Sequence, residues 1–244
     1  MFGLINKLLG RQRKKVPFCS AVVPAAGASN RMEGENKLFA QIGGAPVLGR
    51  TVAALAQSDQ ISEIVVAARE EELLTVADIC RAYVEGKPVK VVRGGETRLE
   101  SVMAALAECD ERAELVAVHD GARPLVTVEI IDAAIQRARE AYAAAPAVPV
   151  KDTIKVAANG VVEHTPDRSI LFAVQTPQVF DRDLLQTALQ AARESGAPIT
   201  DDCSAVERLG KEVSLTEGSY ENLKITTPID LILAEAIWES RGMA

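Results

Sequence analysis

Histidine and cysteine are scarce in these 244 residues, and the few present do not cluster. There are two histidines, while Cys19, Cys80, Cys109 and Cys203 are scattered without a C-x-x-C pair. That spacing offers neither a zinc site nor a disulfide framework, so buried free thiols are expected. No apolar run reaches the about 18 residues of a membrane span. Positive charge is also in deficit. The 27 Lys and Arg against 34 Asp and Glu leave a formal charge of −7, which excludes a surface that grips nucleic acid over its whole extent. Any anion site must therefore be local. Export is not expected either, because MFGLINKLLGRQRKK places its apolar residues before its cations, the reverse of the order in a secretory signal. A cytoplasmic protein is expected, with residues 1–17 as a basic, solvated tail. The alternative for that tail is weak attachment to an acidic membrane or partner, through a face of Phe2, Leu4, Ile5, Leu8 and Leu9 followed by Arg11 to Lys15.

What is present is enough apolar material, 48% of the chain, to bury a substantial core. Residues 18–244 are expected to form a single domain. Phe18 to Val23 reads as a strand, Leu38 to Ile42 as a short extended piece, and Val47, Leu48, Val52, Leu55 and Ala56 recur at helix spacing after Pro46. Glu63 to Ala68 reads as a buried strand, Glu70 to Tyr83 as a helix and Pro88 to Val92 as a strand. Thr97 and Glu100 form a capping box that starts a helix running to about Ala107. Leu115 to His119 is the next strand and Val128 to Ala141 the next helix. This alternation predicts a predominantly parallel sheet flanked by helices, a Rossmann-like α/β architecture.

The composition shifts near Pro146 and Pro149. Thr153 to Ala157 and Val161 to Thr165 are β-rich, and Asn159-Gly160 between them suits a tight hairpin turn. A projecting β arm at about 150–170 is predicted, which must pack on its own domain or on another subunit because an isolated two-stranded arm is marginal in water. Leu171 to Val174 returns from the arm. Helices follow over Asp181 to Glu194 and Asp201 to Leu209, then a strand over Glu212 to Leu215, and a last helix opened by Thr227 and Pro228.

The stretch AVVPAAGASNRMEGENK, Ala21 to Lys37, has the make-up of a phosphate loop. Small residues let backbone N–H groups approach an anion, and Arg31 and Lys37 bring fixed positive charge. A solvated loop after a strand would look similar on local composition. Two further strand ends decide between them, because Gly94 to Ser101 and Asp120 to Arg123 also carry polar or glycine-rich turns. In open α/β sheets ligands collect at that edge.

Pro24-Ala25-Ala26-Gly27 with Arg31-Met32 and Lys37, His119-Asp120-Gly121-Ala122-Arg123-Pro124, Thr176-Pro177-Gln178, Thr200-Asp201-Asp202, and Asn222-Leu223-Lys224-Ile225-Thr226 together resemble the methylerythritol phosphate cytidylyltransferase family. The chain departs from the family pattern at Ser29, Asn36 and Gly121 and in a shorter segment before Lys37. The resemblance implies a fold of nucleotidyltransferase type and transfer of CMP from CTP to 2-C-methyl-D-erythritol 4-phosphate, with release of pyrophosphate, in the non-mevalonate isoprenoid route. It implies that Arg31 and Lys37 stabilise the transition state. It also implies that the backbone of Ala25, Ala26 and Gly27, with Gly95, Glu96, Ser101 and Gly121, holds the nucleotide. Asp120, Arg123, Thr153, Arg168, Thr176 and Lys224 would serve the acceptor, Asp120 through substrate hydroxyls or the metal.

Mg²⁺ is expected on the triphosphate, with no protein ligand assigned. In this family the arm crosses to a homodimer partner, so Thr153 and Arg168 would act in the neighbouring subunit. The chemistry fits the cations. One anion must approach another, and charge builds on the phosphoryl oxygens and the leaving pyrophosphate. His119 and His164 are expected to be structural. The competing readings are a cytidylyltransferase for ribitol 5-phosphate and a catalytically silent nucleotide-binding domain. Retention of both cation pairs speaks against the second.

Overall fold

The computed structural model describes residues 18–27, 36–196 and 198–242. Its first half runs β1 (Cys19–Pro24), a small hairpin of β2 (Gln41–Ile42) and β3 (Ala45–Pro46), α1 (Val47–Gln57), β4 (Glu63–Ala68), α2 (Leu73–Tyr83), β5 (Val89–Arg93), α3 (Arg98–Ala107), β6 (Leu115–Val118) and α4 (Val128–Ala141). The second half runs β7 (Ala143–Pro149), β8 (Val156–Ala158), β9 (Val161–His164), β10 (Phe172–Val174), β11 (Gln178–Asp181), α5 (Arg182–Ser195), α6 (Asp202–Arg208), β12 (Ser214–Glu217) and α7 (Pro228–Ser240).

The main sheet has the order β10-β7-β11-β6-β1-β4-β5, with β12 also paired to β7. β6, β1, β4 and β5 are mutually parallel, and β11 lies antiparallel between β6 and β7. The mixed α/β sandwich follows from the period-2 alternation of mostly apolar strands buried on both faces. Ala21 and Val23 of β1, with Ile64 and Val66 of β4, enter one core layer under α1, α2 and α4. Val22 and Val65 enter the opposite layer under α3, α5 and α6. Each fully buried Val, Leu or Ile side chain contributes about 2 kcal/mol to the folded state.

Several sequence expectations are corrected. Leu38 to Ile42 is not one extended piece. Residues 37–39 form a turn whose Leu38 carbonyl accepts the Leu48 N–H at 3.0 Å, and only Gln41–Ile42 pairs, with Ala45–Pro46. The helix expected from Glu70 begins as a 3₁₀ turn over Glu70–Glu72, and α2 proper starts at Leu73. β7 and β11 went unmarked in the sequence. β7 reads AAAPAVP, a poor β sequence, and is made a strand by β10, β11 and β12 pairing onto it.

The arm is present as the antiparallel pair β8 and β9, with Asn159 at φ 50° and Gly160 at φ 80° in its turn. Every residue of both strands is exposed. At the other end of the chain, α7 clamps the β2–β3 hairpin. Glu235 accepts the Gly43 N–H at 2.9 Å, and the Arg50 guanidinium lies 3.8 Å above the Trp238 ring while donating to Gly43 O. Gly43 sits at φ +56° directly against Trp238, where a Cβ would fall 2.2 Å from the indole nitrogen.

Candidate active site

The carboxyl ends of β1, β4, β5 and β6 meet along one edge of the sheet. After Pro24 the Ala25 N–H donates to Ala67 O at 2.7 Å, which extends the β1–β4 ladder by one residue before the chain turns away. Arg69, just past β4, then holds the next two carbonyls, with Nε 3.3 Å from Ala26 O and Nη2 3.0 Å from Gly27 O. Where the chain returns, Asn36 donates to Glu72 Oε1 at 2.6 Å and its Oδ1 accepts the Leu38 N–H at 3.0 Å. Residues 69–72 thus grip both sides of the loop.

The turn after β5 packs against the first one at Gly94, where a Cβ would meet the Ala26 Cβ at 2.7 Å and Ser101 Oγ at 2.9 Å. Glycine is needed there for close approach. Thr97 and Glu100 make the anticipated capping box. Ser101, buried beneath it, accepts the Gly95 N–H at 3.2 Å and donates to Thr97 O at 2.9 Å.

Asp120, at the end of β6, is the electrostatic centre. It is buried, with Lys224 Nζ at 2.9 Å and Arg123 Nε at 3.4 Å from Oδ2, and Arg98 Nη2 at 3.6 Å from Oδ1. Burial raises the carboxyl pKa, but Lys224, Arg98 and Arg123 more than offset it and hold the group well below the ordinary carboxylate range.

Behind Asp120 the hydrogen-bond donors and acceptors can be followed one by one. Burial pushes His119 down to about 4, so its ring is neutral at neutral pH. Its Nε2 lies 3.2 Å from Arg123 O, which can only accept, so Nε2 carries the proton and Nδ1 accepts from Thr176 Oγ1 at 3.0 Å. Thr176 Oγ1 in turn accepts the Asp120 N–H at 3.1 Å. Arg123 Nη1 donates to Asn222 O at 2.6 Å, and the Ile225 N–H donates to Ala122 O at 2.8 Å. These two bonds lay the Asn222–Thr226 segment along the Asp120–Arg123 turn and deliver Lys224 to Asp120.

The resulting open pocket has a volume of about 130 Å³. Its wall unites Ala25, Gly27, Lys37, Ser101, Asp120, Gly121 and Lys224 from the sequence-predicted set. Lys224 keeps a side-chain exposure of 39%, enough to meet a ligand. Ala26 is beside the wall, its carbonyl held by Arg69. Gly95 and the exposed Glu96 sit on the adjoining turn. Arg123 and Thr176 stand behind Asp120 as its supports. Thr153 and Arg168 are exposed at the base of the arm, and Arg168 Nη1 donates to Lys151 O at 2.6 Å. Arg31 lies outside the described residues, as does the tail over 1–17.

Arg98 is a member of the pocket wall that sequence reasoning missed. The signal existed. A cation as the first residue of a helix opposes the macrodipole, so it needs a carboxylate partner to justify it. Arg98 has two, Asp120 and the fully buried Asp202. Among the described residues no group of three His, Cys, Asp or Glu converges as a metal cage, and no helix is long and apolar enough to cross a membrane.

Comparison with known proteins gives a consistent result. The model of the 2-C-methyl-D-erythritol 4-phosphate cytidylyltransferase family matches residues 19–240. A protein of that name from Caldanaerobacter subterraneus subsp. tengcongensis is 48% identical over 219 residues, covering 88% of this chain and 96% of its own length. Another from Desulforamulus reducens is 46% identical over 225 residues, covering 91% and 96%. Among solved structures, 4-diphosphocytidyl-2C-methyl-D-erythritol synthase from Anaerococcus prevotii superposes with a TM-score of 0.83 at 32% identity, covering 92% of this chain and 99% of that one. The cytidylyltransferase from Thermus thermophilus superposes with a TM-score of 0.74 at 33% identity, covering 90% and 98%.

Proposed function

The chain belongs to the 2-C-methyl-D-erythritol 4-phosphate cytidylyltransferase family, and from that premise we propose how its residues divide the work. The reaction moves CMP from CTP to 2-C-methyl-D-erythritol 4-phosphate. An acceptor phosphate oxygen attacks the α-phosphorus of CTP, the bond from that phosphorus to the bridging oxygen breaks, and pyrophosphate leaves. The acceptor phosphate is already ionised, so no protein nucleophile is required.

The observation that carries the reading is the pocket wall. In a chain of net charge −7, its described residues bring the cations Lys37, Arg98 and Lys224 together with one carboxylate, Asp120, at the ligand-binding edge of a parallel sheet. Lys37, with Arg31 by family resemblance, offsets the charge that builds on the phosphoryl oxygens. The Ala25 to Gly27 backbone, the Gly95 and Glu96 turn, Ser101 and Gly121 form the nucleotide side. Asp120 and Lys224, backed by Arg123 and Thr176, form the acceptor side. Thr153 and Arg168 act from the arm of a second copy in a homodimer. The exposed apolar side chains of Ile154, Val156, Val161, Val162 and Phe172 support that assembly.

Asp120 is the one carboxylate on the described wall, and both its oxygens already face cations. That suits Mg²⁺, which keeps phosphates and waters as most of its ligands, better than a metal needing a protein cage. Mg²⁺ bound to CTP would draw charge from the triphosphate oxygens, with Asp120 beside it. Residues 18–244 act as one catalytic unit in the cytoplasm.

The test is pyrophosphate release from CTP and Mg²⁺ with 2-C-methyl-D-erythritol 4-phosphate or ribitol 5-phosphate, and with EDTA as a control. Turnover is expected with the first acceptor and is expected to stop with EDTA. Lys37→Ala is expected to lower kcat by on the order of a hundredfold, since one preorganised donor is worth about 3 kcal/mol in the transition state. Near-normal turnover in a folded Lys37→Ala protein would overturn its assigned role.

A further inference from the structure

The Thr200-Asp201-Asp202 segment lies at the start of α6, and Asp202 does not line the pocket. We propose that Asp202 is a positioning residue for the acceptor side of the site, acting through Arg98. Asp202 has no solvent exposure, yet its Oδ2 stands 2.7 Å from Arg98 Nη1, while Arg98 Nη2 stands 3.6 Å from Asp120 Oδ1. One guanidinium thus spans a buried carboxylate on α6 and the carboxylate at the centre of the pocket.

The anchor is rigid. The Asp202 and Cys203 N–H groups both donate to Gln178 Oε1 at 3.1 Å, and Gln178 Nε2 donates to Asp201 Oδ2 at 2.7 Å. Asp201 caps α6 by accepting the Ser204 N–H at 2.9 Å. Gln178 opens β11, next to Thr176, which holds Asp120 from behind. The short run Thr176 to Gln178 that leads into the strand therefore holds the backbone of both carboxylate residues that Arg98 faces.

A merely structural origin accounts poorly for this arrangement. Beyond Arg98, the Asp202 carboxylate has no hydrogen bond among the described residues. Burying an ion pair with so little further compensation costs stability relative to an apolar pair, so the geometry needs a reason elsewhere.

Asp120 supplies that reason. Its Oδ2 is taken by Lys224 and Arg123, and its Oδ1 faces Arg98 at a distance too long for a direct hydrogen bond. With Asp202 holding one side of the guanidinium, Arg98 cannot close onto Asp120 as a two-pronged clamp. Oδ1 stays available to a hydroxyl of the acceptor. Released from Asp202, the fork would favour bidentate pairing with Asp120, compete with Lys224 and block that oxygen.

This inference rests on the assignment of Asp120 and Lys224 to the acceptor, and the experiment separates the two. Asp202→Asn, close in shape and uncharged, is compared with the wild-type full chain by steady-state pyrophosphate release, alongside Lys224→Ala. Asp202→Asn is expected to raise the acceptor KM about tenfold, with kcat and the CTP KM changed by less than about threefold. A loss of packing alone would lower the melting temperature without that split. Adding Arg98→Gln to Asp202→Asn should bring the acceptor KM back toward the wild-type value, because the fork that would block Asp120 Oδ1 is then gone. If Asp202→Asn does not fold, Asp202→Ser, smaller and uncharged, is read in its place. An unchanged acceptor KM in a folded Asp202 variant, or a double variant whose acceptor KM stays as high as the single variant's or rises above it, overturns the inference. An unchanged acceptor KM in Lys224→Ala instead overturns the acceptor-site reading beneath it.

Discussion

His119 is sealed in its neutral form between the Arg123 carbonyl and the Thr176 hydroxyl, and that has a thermodynamic consequence. Its pKa falls from an ordinary 6.5 to about 4 through burial. The unfolded chain therefore binds the proton more tightly than the folded one between those values. The stabilising contribution is complete above pH 6.5 and is lost as pH falls toward 4, by about 3 kcal/mol in all. Imidazole ¹⁵N shifts of His119 should remain those of a neutral ring at pH 5, while the urea midpoint falls between pH 7.5 and 5. An unchanged midpoint would contradict this. Asp120 contributes in a different window, because a carboxyl held low loses its contribution only below its ordinary value of 3.8. Gly121 makes a further residue-scale case. A Cβ there would touch Val23, Leu38 and Leu48 at 3.4 Å, ordinary van der Waals contact, and Gly121 is not among the glycines with positive φ. Gly121→Ala should keep activity and gain up to about 0.5 kcal/mol in chemical denaturation, because it narrows the unfolded ensemble.

Helix starts carried the clearest local signals, and elements without them were the ones the sequence hid. Thr97 with Glu100 and Thr227 with Pro228 mark their helices because a cap is chemistry within four residues. At α7, Asp230 Oδ2 accepts from the N–H and hydroxyl of both Thr226 and Thr227 at 2.8–2.9 Å. Asp230→Ala is expected to cost about 1–2 kcal/mol in urea denaturation, and a loss below a few tenths would show the cap to be idle. β7 had no comparable signal, since alanine and proline become a strand there only through neighbours distant in sequence. The site divides the same way. Asp120, Lys37 and Lys224 were legible as polar residues at strand ends or in motifs. Arg98 was legible only as a helix-start cation in want of a carboxylate, because its partner Asp202 is more than a hundred residues away and only the fold brings them together.

At the scale of the whole molecule, the exposed arm is where the proposed homodimer can be tested. Thr153 and Arg168 are exposed at the arm, outside the wall that holds Asp120 and Lys224. If two copies exchange arms, mixing Arg168→Ala subunits with Lys37→Ala subunits should restore activity, since one site of each mixed dimer then has both cations. Failure to recover activity, with mixed dimers verified, would rule out shared sites. The clamp of α7 on the β2–β3 hairpin adds a practical property. Trp238 is the chain's sole tryptophan, and it presses on Gly43, six residues beyond Lys37. The enzyme thus carries a single indole packed on a residue close in sequence to Lys37, the cation proposed to meet CTP. If CTP binds beside Lys37, nucleotide titration of the unlabelled protein is expected to change the emission of Trp238, and a flat titration under turnover conditions would speak against that placement.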